Sequence, residues 1–387
     1  MTGILVWALS VMLILPAMMV SIECLVACLP FSRKSHTDAE RPDVAVLIPA
    51  HNESAVIEAT LGTIVKQLRN TDRVLVVADN CSDETATIAR TCGALVLERR
   101  NESLRGKGHA LAFGMEALRQ DPPEIVIIVD ADCQVTEGAL DLLAGTAHGS
   151  DSPVQSLYLM KAGNAERRKI AAFAWVIKNH VRALGMQRMG IPCQLTGTGM
   201  AFPWHIIENM NLATSALVED MLLGGELVAS GHPPVFCPDA VVTSIFPAAD
   251  RDAHTQRRRW EHGHIGMILN YFPILLLKAL KRGDARSVLF ATDMMVPPLA
   301  LQSMLMLAGL GLTGIYALLE NSLPFETMTS GFLLFSISLF AAWYRFGRDT
   351  IGVRDAFRIP IYMISKISVY LAYLFSRERS WVKTRRS

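Results

Sequence analysis

Ile125-Val-Ile-Ile-Val-Asp-Ala-Asp132 is the stretch whose reading decides the fold. A short unbroken apolar run is the pattern of a buried strand, and this one leads directly into two carboxylates. Working outward, Val44-Ala-Val-Leu-Ile48 and Arg73-Val-Leu-Val-Val77 repeat the pattern. The segments Ser54 to Leu68 and Ser82 to Arg90 carry helical patterns. Strand alternating with helix predicts right-handed parallel units in an α/β domain from about Pro42 to Trp260. In such sheets ligands bind beyond the carboxyl ends of the strands. Each of these runs ends in polar residues, namely Asn52-Glu53, Asp79-Asn80 and Asp130-Ala-Asp132.

The flanks have a different character. Of 387 residues, 51% are hydrophobic and only 19% charged, against about 25% charged in soluble domains. That excludes a disordered chain and argues against a purely soluble one. Lys+Arg is 37 and Asp+Glu is 36, a near-balance that gives no support for bulk nucleic-acid binding. The seven cysteines show no C-x-x-C spacing, so a reducing compartment fits better than a disulfide framework or a zinc site.

Gly3 to Leu29 is long and apolar enough to span a bilayer, and no basic residue precedes it as in a secretory signal. Arg33, Lys34 and Arg41 follow, which places the N-terminus outside and the α/β region in the cytoplasm. His264 to Leu280, with Lys278, Lys281 and Arg282 at its end, reads as an interfacial helix. Ser287 to Leu319 reads as a span broken at Pro297-Pro298. Glu320 to Ser330 suits an outside loop and Gly331 to Tyr344 a short second pass, after which Arg345, Arg348, Arg354 and Arg358 mark the return. Ile359 to Phe375 has basic residues on both sides, including Arg377, Arg379, Lys383, Arg385 and Arg386, and is placed flat at the interface. A fourth span is the alternative.

Several short motifs can carry chemistry, and each has a plainer reading. Asp130 and Asp132 can both reach one divalent cation, and hard oxygen ligands suit Mg²⁺ or Mn²⁺; alternatively they cap a turn before a helix. Asp79 can accept from a base N–H or a ribose hydroxyl, whereas Ser82 and Asp83 read as helix caps. Asn52 and Glu53 lead into a helix and suit either an anion site or a cap. Lys107, in Arg105-Gly-Lys-Gly108, can meet a phosphate or belong to a solvated basic loop. Glu219-Asp220 lies in an apolar stretch, where a desolvated carboxylate would have a raised pKa suited to general-base work; an exposed helix start is the plain alternative. In Gln256-Arg-Arg-Arg-Trp260, Arg can bind a pyrophosphate and Trp can stack on a sugar, or the segment can be a basic membrane-surface patch.

Taken in order, Pro49-Ala-His-Asn-Glu53, Asp79, Lys107, Asp130-Ala-Asp132, Glu219-Asp220 and Gln256-x-x-Arg259-Trp260 resemble membrane-bound glycosyltransferase family 2. That family includes cellulose, chitin and hyaluronan synthases and ceramide glucosyltransferases, all with a GT-A catalytic domain. The resemblance implies an α/β GT-A (Rossmann-like) cytoplasmic domain flanked by transmembrane and interfacial helices. The expected organisation is a transmembrane helix over residues 1–30, a GT-A domain over 42–262, an interfacial helix over 263–286, transmembrane helices over 287–346, and an interfacial helix with a basic tail over 357–387.

The resemblance also implies roles. Asp79 would contact uracil, with Ala50 and Glu53 nearby, and Lys107 would lie near the nucleotide. Asp130 would approach the sugar or ribose and share with Asp132 the metal, Mg²⁺ or Mn²⁺, on the diphosphate. Asp220 would be the catalytic base with Glu219 beside it. Gln256, Arg259 and Trp260 would close over diphosphate and acceptor, and Gly197-Thr198-Gly199 would form the acceptor-side loop. The implied reaction is inverting sugar transfer from a UDP-sugar to a lipid or lipid-linked acceptor at the inner membrane. A processive polysaccharide synthase is the alternative. A nucleotide-binding receptor or transporter component is a reading from another class, with Asp293 the carboxylate to watch in the spans; a nucleotidyltransferase would need a glycine-rich basic signature after Ile48. The chain departs from many relatives in having Ala78-Asp79 for Asp-Asp, Val218 before the Glu-Asp pair, and few spans.

Overall fold

The computed structural model describes residues 2–30, 41–163, 168–247 and 250–375. The expected basic flanks Arg33 and Lys34, and the tail residues from Arg377 onward, lie outside these. Chain contacts divide the described residues into two compact units. One holds residues 41–163, 192–247 and 250–263; the other holds 2–30, 168–191 and 264–375. Residues 168–191, which lie inside the stretch read as a single domain, thus group with the apolar helices.

The α/β unit is built on a mixed sheet of β1 (Val44–Ala50), β2 (Arg73–Asp79), β3 (Leu95–Arg99), β4 (Ile125–Ile128), β5 (Gln134–Val135), β6 (Val154–Lys161), β7 (Met200–Pro203) and β8 (Val235–Ile245). Their spatial order is β3-β2-β1-β4-β7-β6-β8-β5. The half from β3 to β4 is parallel, as expected. The sheet turns mixed at β7, which runs antiparallel to both β4 and β6. The runs that announced themselves are central strands buried on both faces, which makes them continuously apolar. Helices Lys107–Leu118 and Glu219–Ser230 contribute Leu111, Met115, Leu223 and Leu227 to a core shared with Leu47, Val77, Ile128 and Phe202. Helix Ala139–Ser150 packs on β4, β7 and β8. Arg41 does not act as a membrane-flanking charge: its guanidinium is buried and pairs with Asp72 at 2.7 Å and Asp141 at 2.6 Å.

In the second unit, helix Thr2–Cys28 packs against Leu299–Leu319 and Leu323–Ala342. Among the described residues, three helices are long and apolar enough to cross a membrane: Gly3–Cys28, Leu299–Leu319 and Leu323–Gly347. Helix Phe272–Arg282 is bent by 42° from the helix preceding it. The break expected at Pro297-Pro298 separates helices Ala285–Met294 and Leu299–Leu319. The expected loop over Glu320 to Ser330 is instead mostly helix, since the next helix already begins at Leu323. Its polar residues fit because Thr327 and Ser330 donate back to the carbonyls of Leu323 and Glu326. Glu326 sits in the first turn, where the helix dipole favours an acid.

Polar contacts hold this unit together. A π-helical segment over Ile177–Arg182 ends in a buried guanidinium that donates from Nε to Glu23 Oε2 at 2.6 Å and from Nη2 to Asp293 Oδ1. Arg188 Nη1 donates to the carbonyls of Val26, Ala27 and Leu29 at 2.7–2.9 Å. It thereby satisfies acceptors that the end of helix Thr2–Cys28 leaves open. Gly185 makes the close approach possible, because a Cβ there would lie 2.2 Å from the Glu23 carbonyl oxygen. Gly185→Leu must push the two backbones apart and is expected to cost about 1–3 kcal/mol. Gly62→Ala, which meets nothing within 4 Å on an α/β-unit helix, is expected to leave stability equal or higher. Thermal unfolding of the detergent-solubilised variants checks both.

Candidate functional site

The carboxyl ends of β1, β2 and β3 are laced together by side chains that imitate backbone. Asn52, two residues past β1, and Asn80, directly after β2, both adopt left-handed φ values, 53° and 51°. Asn52 Oδ1 accepts from Ser82 N at 2.7 Å. Asn80 Oδ1 accepts from Asn101 N at 2.8 Å, and its Nδ2 donates to Asn101 O at 3.1 Å. Glu53 N donates to Thr85 Oγ1 and Ser54 N to Asp83 Oδ2. Burial alone would raise Asp83, but hydrogen bonds from Thr85 and Ser54 outweigh it and hold the carboxyl at about 2. Asp83 thus ties the turn before helix Thr85–Thr91, whose N-cap is Glu84, to Ser54 after β1. Asp79 is the last residue of β2, in register with Arg99 of β3, and the pair is joined at 2.6 Å and nearly buried. Ala50, the last residue of β1, is buried and its carbonyl lies 3.6 Å from Cys81 Sγ.

A second group forms around the loop that enters β7. Lys107 is the first residue of its helix. Its Nζ lies 2.5 Å from Asp130 Oδ1, donates to Gly197 O at 2.5 Å, and lies 3.9 Å from Glu219 Oε1. Glu219 and Asp220 occupy the first turn of helix Glu219–Ser230. Gly197, at φ +90°, turns its side-chain position toward the cluster: a Cβ there would lie 3.4 Å from Asp220 Oδ2 and 3.5 Å from Lys107 Nζ. Burial pushes the Glu219 carboxyl up to about 7, Lys107 opposes this and the Asp220 charge adds to it. Lys107 is itself raised, because Asp130 and Glu219 outweigh its desolvation.

The rest of the glycine loop serves the site from beneath. Thr198, expected on the acceptor side, is fully buried, and its Oγ1 accepts from Asp130 N at 3.0 Å. Gln155 Nε2 holds the Thr198 carbonyl at 2.9 Å. Gly199 packs onto β6, where a Cβ would fall 1.9 Å from Ser156 Oγ. Of the three residues, Gly197 alone turns its side-chain position to the carboxylates. Gln256, Arg259 and Trp260 lie on helix Asp250–Asn270; Gln256 is buried, and Arg259 is close enough to feel the charges of Glu219 and Asp130. A Cβ on Gly263 of this helix would lie 2.8 Å from Val218, the residue before the Glu-Asp pair.

Asp130, Asp132 and Cys133 present ligand atoms within 4.8 Å of one another. Burial, with the Asp130 charge, pushes the Cys133 thiol up to about 12, so it stays protonated and a poor ligand. The remaining carboxylate oxygens are hard donors that fit Mg²⁺ or Mn²⁺. Ser244 on β8 donates to Asp132 Oδ2 at 3.0 Å and orients it. Ser244, Arg99 and the supporting role of Thr198 are not legible in the sequence, since each depends on a contact that the fold creates between separate segments. A small open cleft beside the cluster is lined by Lys107, Glu219 and Asp220 together with Leu111, Leu212 and Leu223.

A family model described as "Glycosyltransferase like family 2" matches residues 42–263. The chain is 26% identical over 249 residues to the probable glycosyltransferase YdaM of Bacillus subtilis, covering 60% of this chain and 57% of that protein. It is 33% identical over 97 residues to an uncharacterized protein of Methanocaldococcus jannaschii, covering 25% of this chain and 38% of the other. The chain thus spans 57% and 38% of the lengths of these relatives. Among solved structures, the mannosyltransferase PcManGT of Pyrobaculum calidifontis, in complex with GDP-Man and Mn²⁺, is similar with a TM-score of 0.52 at 21% identity, covering 88% of this chain and 98% of that one. That likeness is one of fold, the GT-A arrangement. With the family match extending over more than half of its length, the chain belongs to glycosyltransferase-like family 2.

Proposed function

We propose that the chain transfers a sugar from a nucleoside-diphosphate donor to an acceptor carried in or on the membrane. The observation that carries this reading is the convergence of Lys107, Asp130, Glu219 and Asp220 around Gly197. Asp220 takes the proton from the acceptor hydroxyl. The hydroxyl oxygen then bonds to the anomeric carbon from the face opposite the diphosphate, and the bond to the diphosphate oxygen breaks with its electron pair. The configuration inverts. Arg259 and Lys107 face the negative charge that develops on the leaving diphosphate, an electrostatic contribution that is often the largest single one. A divalent cation on Asp130 and Asp132 would supply Lewis-acid neutralisation of the same charge. The cleft beside Asp220 gives the hydroxyl its approach, and fixed orientation of the two partners lowers the barrier further.

The expected donor is a UDP-sugar, with Asp79 at the base. PcManGT, similar in fold, was solved with GDP-Man, so a donor screen includes UDP- and GDP-sugars. The α/β unit faces the cytoplasm, where nucleotide sugars are made, and the apolar helices hold the chain in the inner membrane. A lipid or lipid-linked sugar is then the acceptor within reach. Radiolabelled donors incubated with membranes containing the protein test this: label in the lipid fraction supports it, and label only in free sugar counts against it.

Asp220→Asn is expected to lower transfer by a factor of about 10² to 10⁴ while nucleotide binding persists, measured by transfer assay and calorimetry side by side. A second outcome follows from Glu219. Its carboxyl ionises near 7 when folded, against an ordinary value of 4.5, so the folded chain holds this proton longer than the unfolded one. Stability from this group is full at low pH and is lost as pH rises from about 4.5 to about 7. Glu219→Gln is expected to flatten that part of the melting-temperature profile.

A further inference from the structure

The carboxylate assigned to the cation already holds a cation of the protein's own. Lys107 Nζ is 2.5 Å from Asp130 Oδ1 and is steadied by the Gly197 carbonyl at 2.5 Å. A divalent ion on Asp130 and the ammonium on the same carboxylate repel each other, so one must yield. The lysine has somewhere to go. Its head is a compact charge on a flexible four-carbon stem, while its backbone is fixed at the start of helix Lys107–Leu118. Glu219 Oε1 already stands 3.9 Å from Nζ. A nucleoside diphosphate entering the site adds enough negative charge to hold both cations at once.

We propose that Lys107 is a built-in counter-ion that occupies Asp130 until a nucleoside diphosphate arrives, and thereby couples cation loading to donor loading. Lys107 is then a positioning residue for the cation. In the donor-free protein the Asp130–Asp132 pair is weakened as a cation site, and metal without nucleotide does not accumulate on it. The arriving diphosphate takes over the ammonium, frees Asp130 and strengthens the cation. By linkage the cation strengthens the diphosphate by the same factor. The inference rests on Asp130 and Asp132 as the cation ligands.

The test is Mn²⁺ binding by the full-length protein in detergent, followed by loss of the free-ion EPR signal, with no nucleotide, with UDP and with GDP. The wild type is expected to bind Mn²⁺ more tightly with the matching nucleoside diphosphate than without. Phosphate–metal attraction contributes to that difference, so the deciding value is the affinity without nucleotide. Lys107→Gln is expected to raise it by about tenfold and Lys107→Arg to leave it low, since the arginine keeps the charge. A merely structural role for Lys107 would lower Mn²⁺ affinity or leave it unchanged. An unchanged or weaker affinity in Lys107→Gln, with circular dichroism as in the wild type, overturns the proposal. Asp132→Asn separates the two layers of the argument. Loss of Mn²⁺ binding in that variant supports the cation assignment, and wild-type Mn²⁺ binding in it overturns the assignment of the carboxylates itself.

Discussion

Asp130, Glu219 and Asp220 come from distant parts of the chain with the same sign of charge, and the Lys107 ammonium, with the Arg259 guanidinium near, lets them meet. Two carboxylates 4 Å apart near a protein surface repel by about 4 kcal/mol. Lys107 offsets that repulsion by bonding Asp130, facing Glu219 and fixing the Gly197 carbonyl. The other parts of the site are arranged to make this meeting possible. A glycine at φ +90° leaves room between Lys107 and Asp220. Thr198 ties the Asp130 backbone to the same loop, and Ser244 of the neighbouring β8 holds Asp132. The helix dipole at the start of Glu219–Ser230 adds a favourable field for two acids in its first turn.

The apolar unit solves a similar problem in a harsher setting. Glu23 and Asp293 are both buried and share the guanidinium of Arg182. Ions buried without partners are costly in apolar surroundings, so the residues act as a set. Asp293, which from sequence alone stood as a carboxylate of possible transport use, is held by Arg182. Glu23 turns out to be its companion from the first helix.

Legibility followed the range of the interaction. The central strands were readable because burial on both faces leaves a local, continuous apolar signature, as in Val44–Ala50 and Ile125–Ile128. The motifs were readable because each places its chemistry within a few residues. What could not be read were pairings that the fold alone creates: the antiparallel β7, the register of Asp79 with Arg99, and the contact of Ser244 with Asp132. A motif likewise does not say which side of a loop faces solvent: Thr198 of Gly197-Thr-Gly199 is fully buried. Residues 168–191 lie within the α/β stretch by position, yet Arg182 and Arg188 commit them to the first helix through contacts more than 150 positions away. The helix from Leu323 was cut short by its serines and threonines, whose hydroxyls are in fact satisfied by the preceding turn.

The two ends of the site differ in stiffness. At the ends of β1 and β2, Asn52 and Asn80 are locked in a left-handed conformation by reciprocal amide contacts, and Asp79 is clamped by Arg99. Groups already locked by their neighbours have little further freedom to lose when a ligand settles against them. Around Gly197 a long lysine stem supplies the adaptable contact. One end of the site is thus fixed by backbone and the side chains that imitate it, and the other turns on a single flexible stem.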